Sequence, residues 1–562
     1  MSAMQDMTKG GAAGHLLRYA VPLMLGNWFQ LAYNAVDSII AGRFIGKDAL
    51  AAEGIAGPVM NLVILGITGV CLGAGVLMSE FFGAKDGESL RRELATTVLS
   101  GTAACTVVAL LGVLFTPAIL QACAVPREIF AITAIYLRIT FLGAPFTCFY
   151  NALAAGFKSV GDARTPLRFL MVSAILNATL DLIFIGGLGF GIVCSAMTTV
   201  IAEAFSAVLA GWWLWTKTPE LCPRRGQWRV DRSLLGRTLQ YGGVSALQQA
   251  VQPIGKVLIQ GQVNALGVEV IAAFNAVTRI DDFACIPEQS IAQGITTYIA
   301  QNRGAGRQDR IRRGFAVGLG MEAAYWMLIG GVVTLFKTPL AAMFVTGEGA
   351  DRVIALAVQY LGTMALFYLL PAMTNGFQGY YRGMGNMPMT LLGTLIQTSL
   401  RVVTTCILAP RMGMYGIAFA CATGWCVMLM VEVPFTFGKK CEMNNGKHKG
   451  SKKSWAIPHN SKCRYGERGC GSCQAKSADN TGCCKGERRQ WRKQRTEAGA
   501  AVAECEGLLS PKHDAGTATR HYRAFWQRRC RAAVAGAVLK PQGGNCAVLP
   551  LTFDKKMLYC YC

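Results

Sequence analysis

Twelve apolar stretches fill the chain between residues 16 and 437. They lie at roughly 16–41, 53–79, 95–118, 129–156, 167–187, 191–216, 238–264, 271–300, 315–336, 353–379, 389–409 and 413–437. A run of about 20 apolar residues is long enough to cross a bilayer as a helix. Inside lipid the backbone must satisfy its own hydrogen bonds, which leaves helices and closed barrels. These runs are continuous and show no ten-residue alternation, so helices are expected. Composition points the same way: 15% charged residues, against about 25% in soluble domains. The chain reads as an all-α integral membrane protein with twelve transmembrane helices. The first stretch is too long for a signal peptide and lacks a small-residue cleavage pattern.

The net charge of +23 is unevenly placed. Arg91 and Arg92 follow the second stretch, Lys158, Arg164 and Arg168 the fourth. Arg224, Arg225, Arg229, Arg232 and Arg237 follow the sixth, and Arg303, Arg307, Arg310, Arg312 and Arg313 the eighth. The odd-numbered loops carry few, such as Arg43 with Lys47, and Arg127. The positive-inside rule puts the even loops and both termini in the cytoplasm. Topology accounts for this charge, so no nucleic-acid partner is expected.

The second half repeats the first at a shift near 221–222. "GKDALAAEGIA" (Gly46–Ala56) falls on "GVEVIAAFNAV" (Gly267–Val277), and "GAKDGESLRR" (Gly83–Arg92) on "GAGRQDRIRR" (Gly304–Arg313). Six is even, so the two six-helix repeats are parallel, related by an axis along the membrane normal. Transporters use this arrangement, with the substrate between the halves and alternating access by rocking. The expected layout is a cytoplasmic N-terminus at 1–14, bundles at 15–216 and 238–437 joined by a cytoplasmic loop at 217–237, and a tail at 438–562.

Asp37 is embedded in "AYNAVDSIIAGRFIG" (Ala32–Gly46). An Asp at the centre of a membrane helix costs about 2.5–3.5 kcal/mol on insertion scales and marks a functional site by default. Asn177 and Asp181 are four residues apart, so they share a helical face. Under the repeat shift Asp37, Asn177 and Asp181 fall near Leu258, Ser399 and Val403, so the acids belong to the first half alone. An oxygen-rich cluster of this kind suits Na⁺, and a buried carboxylate pair also holds a proton. Pro22 is expected to kink the first helix.

"VDSIIAG", "GKDALAA", "GAKD…RR", "GDARTP" (Gly161–Pro166), "LNATLD" (Leu176–Asp181) and "AQNRGAG" (Ala300–Gly306), in this order, resemble the multidrug and toxic compound extrusion (MATE) family of efflux transporters. The resemblance covers residues ~10–437. It implies an antiporter that exports organic compounds against an inward flow of protons or sodium ions, in the cytoplasmic membrane of a bacterium. It also implies a cation-coupling set of Asp37, Asn177, Asp181 and Thr199, the last within "CSAMTTV", where Cys194 replaces a usual glycine. Expected cargoes are cationic or lipophilic. A flippase for lipid-linked substrates, from the same superfamily, is the alternative.

Gln30, Tyr33, Asn34, Gln252, Arg279, Asp281 and Asp282 are candidates for the substrate cavity. Arg279, Asp281 and Asp282 interrupt the eighth stretch, and mutual Arg–Asp pairing is the simpler reading. None of the five histidines (His15, His448, His459, His513, His521) lies in a helix interior, which argues against intramembrane metal or histidine-base chemistry. No enzyme activity, metal or cofactor is expected. The expected partners are small organic substrates and membrane lipids, and the protein is expected to be a monomer.

After Lys440 the chain becomes polar, basic and cysteine-rich. It lacks hydrophobic periodicity and reads as disordered, or as an out-of-frame or fused extension. Cys470 and Cys473 form one C-x-x-C pair, but Cys483 and Cys484 are adjacent, a poor spacing for zinc.

Overall fold

The computed structural model describes residues 4–345 and 349–445. The tail from 446 onwards, with the expectations placed on it, lies outside the described residues. Thirteen α-helices are found among those described. They are α1 (Ala12–Ile40), α2 (Lys47–Gly83), α3 (Gly87–Ala122), α4 (Arg127–Ser159), α5 (Arg164–Asp181), α6 (Ile192–Lys217), α7 (Arg232–Asn264), α8 (Val268–Gly304), α9 (Gln308–Ala342), α10 (Ala350–Phe367), α11 (Leu369–Gly383), α12 (Met387–Met412) and α13 (Met414–Asn445).

The thirteenth helix comes from a break in the expected tenth. Pro371 has no N–H to offer the carbonyl of Phe367, four residues back. The chain bends at Tyr368, and α10 and α11 form two pieces of one path. By contrast α1 runs unbroken past Pro22. Helix α9 continues beyond its expected end through a non-helical residue, Phe336, at φ −113°. Helix α13 reaches Asn445, past the residue at which the tail was expected to begin.

Nine of the described segments are long and apolar enough to cross a membrane by themselves. Helices α1, α7, α8 and the short α11 are not in that set. The reason is their cargo of polar side chains: Asp37 on α1, Gln248, Gln249 and Gln252 on α7, Asp281, Glu288 and Gln289 on α8. Several of these polar side chains are buried against other helices, among them Gln248 of α7 and Glu288 of α8. Elsewhere the outer surface is strongly apolar, with Leu114, Val208 and Leu335 among many exposed side chains. That surface suits lipid rather than water.

Each half has its own core. One runs from Ile67 through Phe169 to Leu214, the other from Ile259 through Tyr360 to Cys421. A further cluster joins them: Leu16, Tyr19 and Leu23 of α1 pack with Ile295 and Tyr298 of α8, Phe315 of α9 and Phe377 of α11.

The repeat is explained by two pairs of glycines. Gly46 and Gly267 precede α2 and α8 with φ of 109° and 104°, a backbone region that side chains other than glycine's strain to enter. At the other ends of the same helices, Gly83 and Gly304 permit backbone contact. A Cβ on Gly83 would stand 1.8 Å from the Gln301 carbonyl oxygen, and one on Gly304 1.9 Å from that of Glu80. The halves therefore meet at the end that carries the basic loops. Around this contact Arg303 bonds Glu80 at 2.5 Å, with Arg237 at 3.6 Å from the same oxygen.

The N-terminal segment reinforces it. Met7 is fully buried. Its N–H donates to Gln301 Oε1 (3.0 Å), and its carbonyl accepts from Asn302 Nδ2 (3.2 Å) and Arg310 Nη2 (3.0 Å). Gln301 Nε2 in turn donates to the Ser159 carbonyl at the end of α4 (2.9 Å).

Candidate cation site and central cavity

Asp37, Asn177, Asp181 and Thr199 come together where α1, α5 and α6 meet. Asp181 is the last residue of α5. It is followed by a π-helical stretch, Leu182–Gly187, and a second one, Ala41–Ile45, follows α1. The two touch: a Cβ on Gly186 would lie 3.6 Å from the Phe44 ring. Such wide turns recur at functional sites because they re-aim side chains. Nothing in the hydrophobic periodicity marked them.

The carboxyl groups of Asp37 and Asp181 stand close enough to interact with each other. The Thr198 hydroxyl donates to Asp181 Oδ1 at 2.5 Å. Asn177 satisfies its neighbours when its amide nitrogen faces Asp181 Oδ2 (3.2 Å) and the Tyr33 hydroxyl (2.5 Å). Its oxygen then accepts from the Thr199 N–H (3.0 Å). Asn177 and Asp181 are both 1% exposed, while Asp37 is half-buried. The group thus offers a wall of oxygens with one carboxyl towards an opening.

Thr198, not Thr199, supplies the hydroxyl to Asp181. The Thr199 hydroxyl turns back to the Ser195 carbonyl (3.0 Å). Two adjacent threonines differ by 100° around the helix, and only the packing of α6 on α5 decides between them. Two acids were missed or left aside. Glu53 of α2 lies close enough to interact by charge with Asp37 and Asp181, and its Oε1 is buried without a partner. Glu203 of α6 completes a set of four, with Tyr136 of α4 near them all. Among the described residues none of these acids forms an ion pair. Glu53 could have been found as an acid inside an apolar run, by the argument applied to Asp37.

The expected cavity residues separate. Gln252 lines a cavity of about 450 Å³ between the halves. Tyr33 instead belongs to the acid cluster, because its hydroxyl is drawn to Asn177. Asp281 is turned into the second half, where the Tyr360 and Tyr368 hydroxyls donate to it at 2.9 and 2.5 Å. Asp282 pairs with Lys256 at 2.9 Å. Arg279, Gln30 and Asn34 are exposed and do not line that cavity. The repeat-related Leu258 and Val403 are exposed apolar residues, so the second half has no counterpart of the acid cluster at those positions.

The cavity is lined from α1, α2, α4, α7, α8 and α11. Asn61, Asn151, Gln249, Gln252, Gln289, Gln293 and Asn375 give it a carboxamide wall, and Lys158, Lys256 and Arg382 are its charged residues. Its lining contains no Asp or Glu.

A profile of the MatE family matches residues 22–183 and again residues 245–407, one match in each half. The chain belongs to the MatE family. It is a multi-pass membrane transport protein of the MATE kind. It is 26% identical over 416 residues to YpnP of Bacillus subtilis, described as a probable multidrug resistance protein, covering 73% of this chain and 92% of that one. It is 23% identical over 337 residues to a protein of Shewanella oneidensis described as an FAD transporter, covering 59% of this chain and 74% of the other. Its fold matches that of a multidrug resistance MATE family transporter solved in an outward-facing conformation. The TM-score is 0.73 at 21% identity, over 80% of this chain and 99% of that one.

Proposed function

We propose that this MATE-family protein is an antiporter that exports organic compounds from a bacterial cytoplasm across the cytoplasmic membrane. Entry of H⁺ or Na⁺ at the Asp37–Asp181 cluster drives it. The observation that carries the reading is the close pair of carboxyl groups, Asp181 buried and Asp37 half-buried, ringed by Asn177, Thr198 and Tyr33. Two carboxylates cannot share that space without a proton or a cation between them. The filled and empty cluster therefore differ in repulsion across the junction of α1, α5 and α6. An ion can shift a conformational equilibrium only through such a difference between states. The contact between halves at the basic-loop end supports an outward-open state, with both termini on the cytoplasmic side.

The relatives' names span drugs and a flavin dinucleotide, so the cargo is not carried over from either. The deciding experiment is transport in proteoliposomes under a proton gradient or a sodium gradient, imposed one at a time. Efflux driven by one gradient and abolished by Asp37→Asn is expected. Efflux that proceeds equally without either gradient removes the antiport reading.

A further inference from the structure

We infer that the cavity between the halves takes small organic anions, bearing a carboxylate or a phosphate, through Lys158 and Arg382. This deepens the export reading above and rests on it. The two cations stand on opposite halves, Lys158 on α4 and Arg382 on α11, and both line the same cavity. Among the described residues Lys158 forms no ion pair. Arg382 forms none either, and its Nε is buried without a hydrogen-bond partner. The third lining cation, Lys256, is already bonded to Asp282.

The acids behind the wall do not line the cavity: Glu432 and Glu288 are fully buried, each with one oxygen free of a hydrogen-bond partner, and Glu432 is near enough to Arg382 to interact with it by charge without forming an ion pair. Glu432 accepts from Gln378 Nε2 at 2.7 Å. Glu288 is fully buried behind Asn375, whose Nδ2 donates to it at 3.4 Å. A cationic cargo in this cavity would meet two positive groups and no lining carboxylate. Lys158 and Arg382 stand in the last turns of α4 and α11, and a carboxylate or phosphate on the cargo gives them the charge-assisted hydrogen bonds that no ion pair supplies.

The other lining groups set the rest of the chemistry. Seven carboxamides both donate and accept, and Tyr19, bonded by Thr297 at 3.0 Å, is the aromatic lining residue. A cavity of about 450 Å³ falls in the range that holds drug-sized ligands. The cargo is thus a compact anion rich in hydrogen-bonding groups. Its negative group would bridge the halves, so that its loss frees one half from the other.

The test uses the full chain in proteoliposomes and two matched pairs of compounds: carboxyfluorescein against a rhodamine ester, and flavin mononucleotide against riboflavin. The first pair tests a carboxylate, the second a phosphate. At least one anion should be transported in preference to its matched partner. Lys158→Gln and Arg382→Gln should each raise the half-saturating anion concentration roughly tenfold or more, the loss of one charge-assisted contact. Lys158→Arg should restore most of it, and riboflavin or rhodamine uptake by the same variants should not fall in parallel. A parallel fall in all compounds would indicate a structural role and overturn the inference. Transport of the rhodamine ester with both anions excluded overturns it while leaving the export reading standing. Movement of no compound of either charge overturns both.

Discussion

Gly83 and Gly304, 221 positions apart, make the same contact in opposite directions: each backbone passes over a carbonyl of the other's helix, at Gln301 and Glu80. Glu80 and Gln301 are themselves related by that shift. The contact is therefore self-complementary, as at the interface of a two-fold dimer. A side chain on either glycine should hold the halves apart at this end. Gly83→Val should expose a cysteine placed at Ser159 to a membrane-impermeant thiol reagent added on the cytoplasmic side. Unchanged protection of that cysteine would show that the contact does not close the cavity.

Asp37→Asn should abolish gradient-driven export while leaving membrane expression near normal. The amide keeps the shape of the side chain but cannot bind and release a proton, and it weakens a cation site by a full charge. Full efflux by a well-expressed variant removes Asp37 from the mechanism.

Thr198→Val should impair coupling more than Thr199→Val. The first loses the hydroxyl on Asp181, and burial leaves that oxygen without a replacement, at about 1–3 kcal/mol. The second loses a bond to its own helix and a longer 3.4 Å contact with the Asn177 amide, while the Thr199 backbone N–H still holds Asn177. Comparing the apparent affinity for the driving ion in the two variants decides the order.

A monovalent anion leaving in exchange for one entering cation moves two positive charges inward per cycle, and a phosphate monoester moves more, whereas a monovalent cationic cargo moves none. Each charge gains about 2.3 kcal/mol per 100 mV of inside-negative potential. Anion export should therefore accelerate when a potassium–valinomycin potential, negative on the cargo side, is imposed. A rate indifferent to that potential excludes this stoichiometry.

A chain shortened after Asn445 should transport as the full chain does. The family match ends at residue 407 and helix α13 at Asn445. Correct insertion of the shortened protein with loss of transport would assign the tail a part in the cycle.

Fold and family were legible because their signals are local or repeated: long apolar runs, alternating loop charge, and Gly46 and Gly83 returning as Gly267 and Gly304. The acid cluster was legible in part, because a carboxylate in an apolar run stands out wherever its partners lie. Thr198 was missed because adjacent threonines look alike until a neighbouring helix selects one. The break at Tyr368 could have been read from Pro371, whereas the turns of Ala41–Ile45 and Leu182–Gly187 leave no comparable mark. Cavity charge was the least accessible. Lys158 reads as a topology signal at a helix end, and only the tertiary fold brings it to face the same space as Arg382.

The buried Met7 has a consequence for biosynthesis. Its partner Gln301 lies 294 residues further along the chain, so the first half is synthesised and inserted long before its seal exists. Until α8 and α9 arrive, the Met7 N–H and carbonyl lack their partners on Gln301, Asn302 and Arg310, and its side chain is an apolar anchor without a pocket. Contacts this distant in sequence form late and expose intermediates to misassembly. The order of assembly is then set by the ribosome, with the N-terminus the first segment made and among the last to find its place.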